Sequence, residues 1–136
     1  GPFAVVCQRV NEPKGGEAEN KGGRAMKVYL FLSTAGSARE GKKIARHLVK
    51  EGLAACVNII PRICSFFFWE GKLGQEKEVL ILGKTEKKKL SKIVNHIQSM
   101  HSYSLPEILF LRVDGGEKKY MQWVGEMTGK KTKKNY

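Results

Sequence analysis

Cysteine is scarce in this 136-residue chain. Cys7, Cys56 and Cys64 are the three present, and none belongs to a C-x-x-C pair, which excludes a zinc ribbon. Cys56 and Cys64 share a parity along one apolar stretch and stand too far apart on it to bridge each other. Reduced thiols in a reducing compartment are therefore expected. No apolar run approaches the ~20 residues that a bilayer-spanning helix needs. The N-terminus lacks the charged, apolar, small-residue order of a signal peptide. A cytoplasmic protein with no membrane partner is the simplest expectation. Also missing are a Ser/His/Asp set, a paired-carboxylate constellation and a glycine-rich phosphate loop, so no catalytic reaction is expected.

Negative charge is short as well. Thirteen acidic residues face 25 Lys and Arg, for a net charge of +12. Such an excess invites a nucleic-acid reading. Its distribution argues against one. Lys130, Lys131, Lys133 and Lys134 form a terminal tail. Lys42, Lys43, Arg46 and Lys50 fall on the solvent side of one amphipathic segment, and Lys87, Lys88, Lys89 and Lys92 on that of another. A solvated lysine-rich helix surface accounts for both. The RNA-recognition signature, a glycine between basic and aromatic residues on a strand, is absent.

Three regions follow from composition. Residues 1–25 are rich in glycine and charge and read as a flexible leader; Gly1-Pro2 resembles a protease-cleavage scar, and Met26 a natural start. Residues 26–128 have the apolar content of one domain. Residues 129–136 form the basic tail.

Within the domain, Lys27–Ser33 is β-rich. Ser37-x-x-Glu40 is a capping box that opens a helix with Gly41, Ile44, Ala45, Leu48 and Val49 on its inner face. Gly52 is the expected stop. Ala54–Trp69 reads as one long strand, with Pro61 marking a bulge, bend or edge. Glu70–Gly74 is a hairpin turn, and Glu76–Lys84 returns antiparallel. Thr85 is expected to cap a second helix carrying Leu90, Ile93, Val94, Ile97 and Met100. His101–Pro106 is a loop, Glu107–Val113 a fourth strand, and Asp114-Gly115-Gly116 leads into a last helix with Tyr120, Met121, Val124 and Met127 inside. The order β-α-β-β-α-β predicts an α+β, ferredoxin-like split β-α-β sandwich: an antiparallel sheet with an added C-terminal helix.

Both faces of the long strand are apolar. Counting by two, Cys56, Ile60, Cys64, Phe66 and Phe68 share one face, and Val57, Ile59, Ile63, Phe67 and Trp69 the other. Two helices cover one sheet face only. An exposed apolar face is something soluble monomers avoid, so association through the sheet is expected.

Several segments together resemble the CutA family of divalent-cation tolerance proteins. They are Leu53–Asn58 (LAACVN), Pro61 with Ser65, Trp69-Glu70-Gly71, Lys84-Thr85, His101-x-Tyr103, Pro106-Glu107-Ile108 and Tyr120-x-x-Trp123. The resemblance spans about Lys27 to Met127. It implies a compact homotrimer that binds copper or another divalent cation, none of it tightly. It also implies a likeness in shape to the PII signalling proteins, which take small effectors between subunits. Carried over by residue, the implied metal ligands are Cys56, His101 and Glu107, with Lys84, Tyr103 and Trp69 lining a ligand cleft. The chain departs from the family pattern at Ser104, where a carboxylate is usual, at Phe67, where many relatives have Tyr, and at Ser33, where some have Cys.

Each of these residues also has a plainer role available. Cys56 can be a small buried hydrophobe, and His101 a helix C-terminal cation. Glu107 and Lys84 can close ion pairs, and Trp69 and Trp123 can anchor a core or an interface. A soft thiolate with an imidazole suits copper or zinc. A lysine beside aromatics suits an anionic effector instead.

Overall fold

A computed structural model describes residues 27–129. The expected leader and most of the basic tail lie outside the described residues. The elements are β1 (Val28–Ala35), α1 (Ala38–Lys50), β2 (Cys56–Trp69), β3 (Lys72–Glu86), a 3-10 turn (Lys87–Lys89), α2 (Leu90–Met100), β4 (Ile108–Arg112) and α3 (Lys118–Gly129). The strands form one antiparallel sheet in the order β2-β3-β1-β4. This is the split β-α-β arrangement expected from the sequence.

Helix α1 starts and stops as its sequence directs. The Ser37 hydroxyl accepts the Glu40 N–H at 3.1 Å, satisfying one orphan donor of the first turn. The return half of the capping box is not made. The Glu40 carboxylate instead accepts the backbone N–H and the hydroxyl of Ser102, at 2.8 and 3.1 Å. That ties the loop after α2 to the start of α1. At the far end Gly52 has φ 74°, and the bonds from Gly52 N–H to the Val49 carbonyl and from Leu53 N–H to the Leu48 carbonyl close a Schellman motif. Val49, expected inside, is exposed.

Thr85 does not cap α2. Its strand runs on to Glu86, because Thr85 and Glu86 pair with Tyr29 and Val28 of β1. The Thr85 side chain is fully buried and donates to the Leu53 carbonyl at 2.7 Å. The 3-10 turn then leads into α2.

One sheet face packs on the helices. Phe31, Ala35, Val79 and Ile81 meet Ile44 and Leu48 of α1 and Ile93 and Ile97 of α2, all buried. Ser33 shares this face, opposite Ile81 and Ile108. Its hydroxyl is fully buried with no hydrogen-bond partner. An unpaired buried hydroxyl costs about 1–3 kcal/mol. Ser33→Ala is therefore expected to raise the melting temperature by several degrees in a thermal scan; a decrease would show that the hydroxyl has a partner in solution.

The other face is covered at one end by α3. Val124 packs on Val28 and Ala55, and the buried Thr128 hydroxyl donates to Glu86 at 2.7 Å. Further along lie Leu30, Leu32, Leu80, Leu82, Leu109 and Ile60, which belong to neither apolar cluster.

The β2–β3 hairpin extends past the sheet as a two-stranded arm. Its two-residue turn, Glu70 at φ 49° and Gly71 at φ 79°, matches the left-handed backbone of a type I′ turn, so β3 begins at Lys72 rather than at Glu76. At Pro61, where a bulge, bend or edge is expected, the register jumps. Ile60 faces Leu80, Ile63 faces Glu78, and Arg62 takes φ 54°. One extra residue on β2 inverts its alternation. The expected faces are therefore spliced. Cys56 and Ile60 continue into Ile63, Phe67 and Trp69 on the open face; Val57 and Ile59 continue into Cys64, Phe66 and Phe68. Cys56 and Cys64 stand on opposite faces.

Candidate functional site

The loop from His101 to Glu107 crosses the open face at the base of the arm. His101 anchors it. Its Nε2 lies 2.7 Å from the Thr34 carbonyl, which can only accept, so Nε2 carries the proton. Nδ1 accepts the Tyr103 N–H at 3.1 Å. Both ring nitrogens are thus engaged, and the ring is buried. Tyr103 follows at a ring-centroid distance of 4.7 Å. Its hydroxyl donates to Glu78 Oε2 at 2.6 Å, and Ser65 donates to Oε1 at 2.7 Å. Burial first, then the bond and charge of Glu78, then Glu76 and Glu40, push the Tyr103 phenol well above its ordinary range.

These contacts shape a cleft of about 470 Å³. Phe67, Trp69 and Leu105 give it apolar walls, and Glu76, Glu78 and Glu107 give it three carboxylates. Among the described residues lining it there is no lysine or arginine. The Glu107 carboxyl is raised above its usual range, first by desolvation and also by the like charge of Glu78. The cleft is therefore a negative, partly apolar recess. A cation gains energy on entering it, and an anion loses energy.

The expected site residues divide. Tyr103, Trp69 and Glu107 converge in the cleft. Cys56 and Lys84 face each other further along the sheet. There Lys84 Nζ donates to Asn58 Oδ1 and lies 3.8 Å from Cys56 Sγ. Tyr120 of α3 reaches the same sulfur; burial and then Cys56 raise its phenol. Lys84 lies six residues along β3 from Glu78, about 20 Å at the usual rise. It lies twelve from Lys72, the partner of Trp69, about 40 Å. One chain thus does not bring Cys56, His101 and Glu107 into a single ligand set. Nor does it place Lys84 beside Tyr103 and Trp69. Among the described residues, no three His, Cys, Asp or Glu side chains stand close enough to hold a metal ion. Glu76 and Glu78 were not singled out from the sequence. Their parity, continuous with Leu80, Leu82 and Lys84, was the available signal.

Residues 29–127 match the family described as CutA1 divalent ion tolerance protein. The chain belongs to the CutA1 divalent ion tolerance family. It is 40% identical over 101 residues to the chloroplastic CutA of Arabidopsis thaliana, covering 74% of this chain and 54% of that protein. It is 38% identical over 100 residues to the divalent-cation tolerance protein CutA of Thermus thermophilus, covering 74% of this chain and 97% of that one. The structure of CutA1 from Oryza sativa superposes with a TM-score of 0.74 at 35% identity, covering 75% of this chain and 94% of that one. The chain thus spans little more than half the length of the plant relative and nearly all of the bacterial one. Among the described residues no helix is long and apolar enough to cross a membrane.

Proposed function

We propose that the protein is a homotrimeric, non-catalytic binder of divalent cations, with the carboxylate cleft as its site. The observation that carries this reading is the cleft's lining: three carboxylates and a tyrosine, with no basic side chain among the described residues. The relatives named for divalent-cation tolerance support the same ligand class. Carboxylate and phenol oxygens suit divalent ions in general, and the stability order of such ions makes copper the tightest of the first-row series. Affinity is weak, because Glu78 already serves Ser65 and Tyr103 and no three-ligand cage is in place among the described residues. In one chain Glu107 is the member of the expected ligand set that meets the cleft; Cys56 joins it only from a neighbouring subunit.

Trimer formation is favoured by the leucine-rich open face and by the exposed Phe66, Phe68 and Leu73 of the arm. Cys56 and Cys64, free and on opposite faces, fit the reducing cytoplasm.

Calorimetric titration of the full chain with Cu²⁺ and Zn²⁺ tests the site. Glu107→Gln and Glu76→Gln are each expected to weaken binding by about tenfold or more, the effect of one charged ligand. Metal binding needs ionised carboxylates, so affinity should fall with falling pH, and Glu107's elevated carboxyl makes the fall begin above the usual carboxylate range. Equal affinity in the wild type and both variants would remove the cleft as the site.

A further inference from the structure

The seam between α1 and α2 holds a pair of imidazoles that the cleft does not use. His47 of α1 and His96 of α2 are half-buried, with Nε2 of His47 2.8 Å from Nδ1 of His96. Their ring centroids are 5.0 Å apart and the planes are tilted by 31°. At that distance one nitrogen carries a proton and the other accepts it, so the two ring nitrogens face each other between the helices. Their backbones are held independently of this contact. Ile44 and Leu48 beside His47, and Ile93 and Ile97 beside His96, are fully buried in the core. The packing of the two helices, rather than the pair itself, sets the separation of the rings.

We infer that His47 and His96 form a second metal site, distinct from the cleft, in which two imidazoles clamp one borderline divalent ion (Cu²⁺, Ni²⁺ or Zn²⁺) across the helix seam. Metal–nitrogen bonds are about 2.0–2.1 Å, so two neighbouring ligands on one ion stand about 3 Å apart or slightly more. The nitrogens need to part by only a few tenths of an ångström, and each ring tilts so that its lone pair aims at an ion set off the line between them. On binding, the donor ring moves its proton to its other nitrogen, both lone pairs face the ion, and water fills the remaining positions on the solvent side. Lys43 and Lys50 lie within a turn of His47 and Lys92 within a turn of His96, all exposed. Their charge opposes every divalent cation alike; Mg²⁺ and Ca²⁺ gain little from imidazole nitrogen to offset it, whereas Cu²⁺, Ni²⁺ and Zn²⁺ gain more. Glu51, one turn after His47, supplies a nearby carboxylate.

The test is titration of the full chain with Zn²⁺ and Cu²⁺, comparing the wild type with His47→Gln, His96→Gln and Glu107→Gln. Either histidine variant should abolish one binding event per chain, or weaken it at least tenfold, and reduce the nitrogen coupling in the Cu²⁺ paramagnetic resonance spectrum. Zn²⁺ should raise the melting temperature of the wild type more than that of either histidine variant, since an ion bound across two helices favours the folded state. Glu107→Gln should leave this event intact. Unchanged stoichiometry and unchanged nitrogen coupling in both histidine variants would overturn the inference while leaving the cleft reading standing. A binding event lost in the histidine variants, with no event lost or weakened in Glu107→Gln, would support the seam site and overturn the cleft.

Discussion

Leu82→Asp is expected to convert the proposed trimer to monomers while leaving each monomer folded. Leu82 sits on the open face, opposite Leu32 of β1 and Asn58 of β2. It is half-buried in the isolated chain and belongs to neither apolar cluster. An aspartate there remains hydrated in a monomer, so the core under α1 and α2 is untouched. In an assembly that covers this face, the same carboxylate is buried without a partner. An uncompensated buried charge is worth about 3–5 kcal/mol of destabilisation, repeated at each subunit. Sedimentation analysis of the two proteins decides the matter. If Leu82→Asp sediments like the wild type, the open face is not the assembly surface. Ile63→Asp, on the same face after the bulge, should act in the same direction. Phe66→Asp tests the opposite face of the arm, and the contrast between the two reports which face is covered.

Much of the architecture was legible because local and global signals agree in it. The apolar spacing of Ile44 with Leu48, and of Ile93 with Ile97, points to buried helix faces, and those faces meet the sheet. Gly52 ends α1 for the reason glycine usually does. Pro61 marked an irregularity, but a proline shows where a strand departs from its ladder, not how many residues the departure inserts. That missing count reversed the assignment of Ile63, Phe67 and Trp69 relative to Cys56. Thr85 and Glu40 show a second limit. Each has the chemistry of a helix cap, yet a longer strand claims Thr85 and a distant loop claims the Glu40 carboxylate. The cleft was half legible. Tyr103, Trp69 and Glu107 were named from the family resemblance. Glu76 and Glu78 enter through contacts with Ser65 on the partner strand and Tyr103 on a loop, which sequence spacing does not encode. Cys56 and His101 come from the same resemblance, but Cys56 pairs with Lys84 at one end of β2 and His101 is anchored to Thr34 near the other end of the sheet.

Gly83→Ala is expected to be the most damaging single methyl addition in the sheet. Gly83 lies on β3, opposite Phe31 on β1 and Val57 on β2. A Cβ built on it would lie 2.1 and 2.2 Å from carbons of the Phe31 ring, far inside contact distance. The Phe31 ring lies over the glycine and fills the space that a side chain at 83 would occupy. It has little room to yield, since it is fully buried among residues of both helices. Overpacking of this kind costs about 1–3 kcal/mol and occasionally more, and so severe an overlap belongs at or above the top of that range. For a domain of this size a loss of about 3 kcal/mol lowers the melting temperature by more than ten degrees. The strand that would shift also carries Leu82 and Glu78, so assembly and metal binding should weaken with stability. A compensating variant separates steric overlap from any general intolerance of β3. Phe31→Leu alone removes core volume and is destabilising. Combined with Gly83→Ala it should recover part of the loss, giving a favourable coupling of about 1 kcal/mol or more between the two sites. Thermal melts of the two single variants and the double variant measure that coupling. A Gly83→Ala protein that melts with the wild type, or a double variant whose losses simply add, would show that the Phe31 ring is not what reserves this position for glycine.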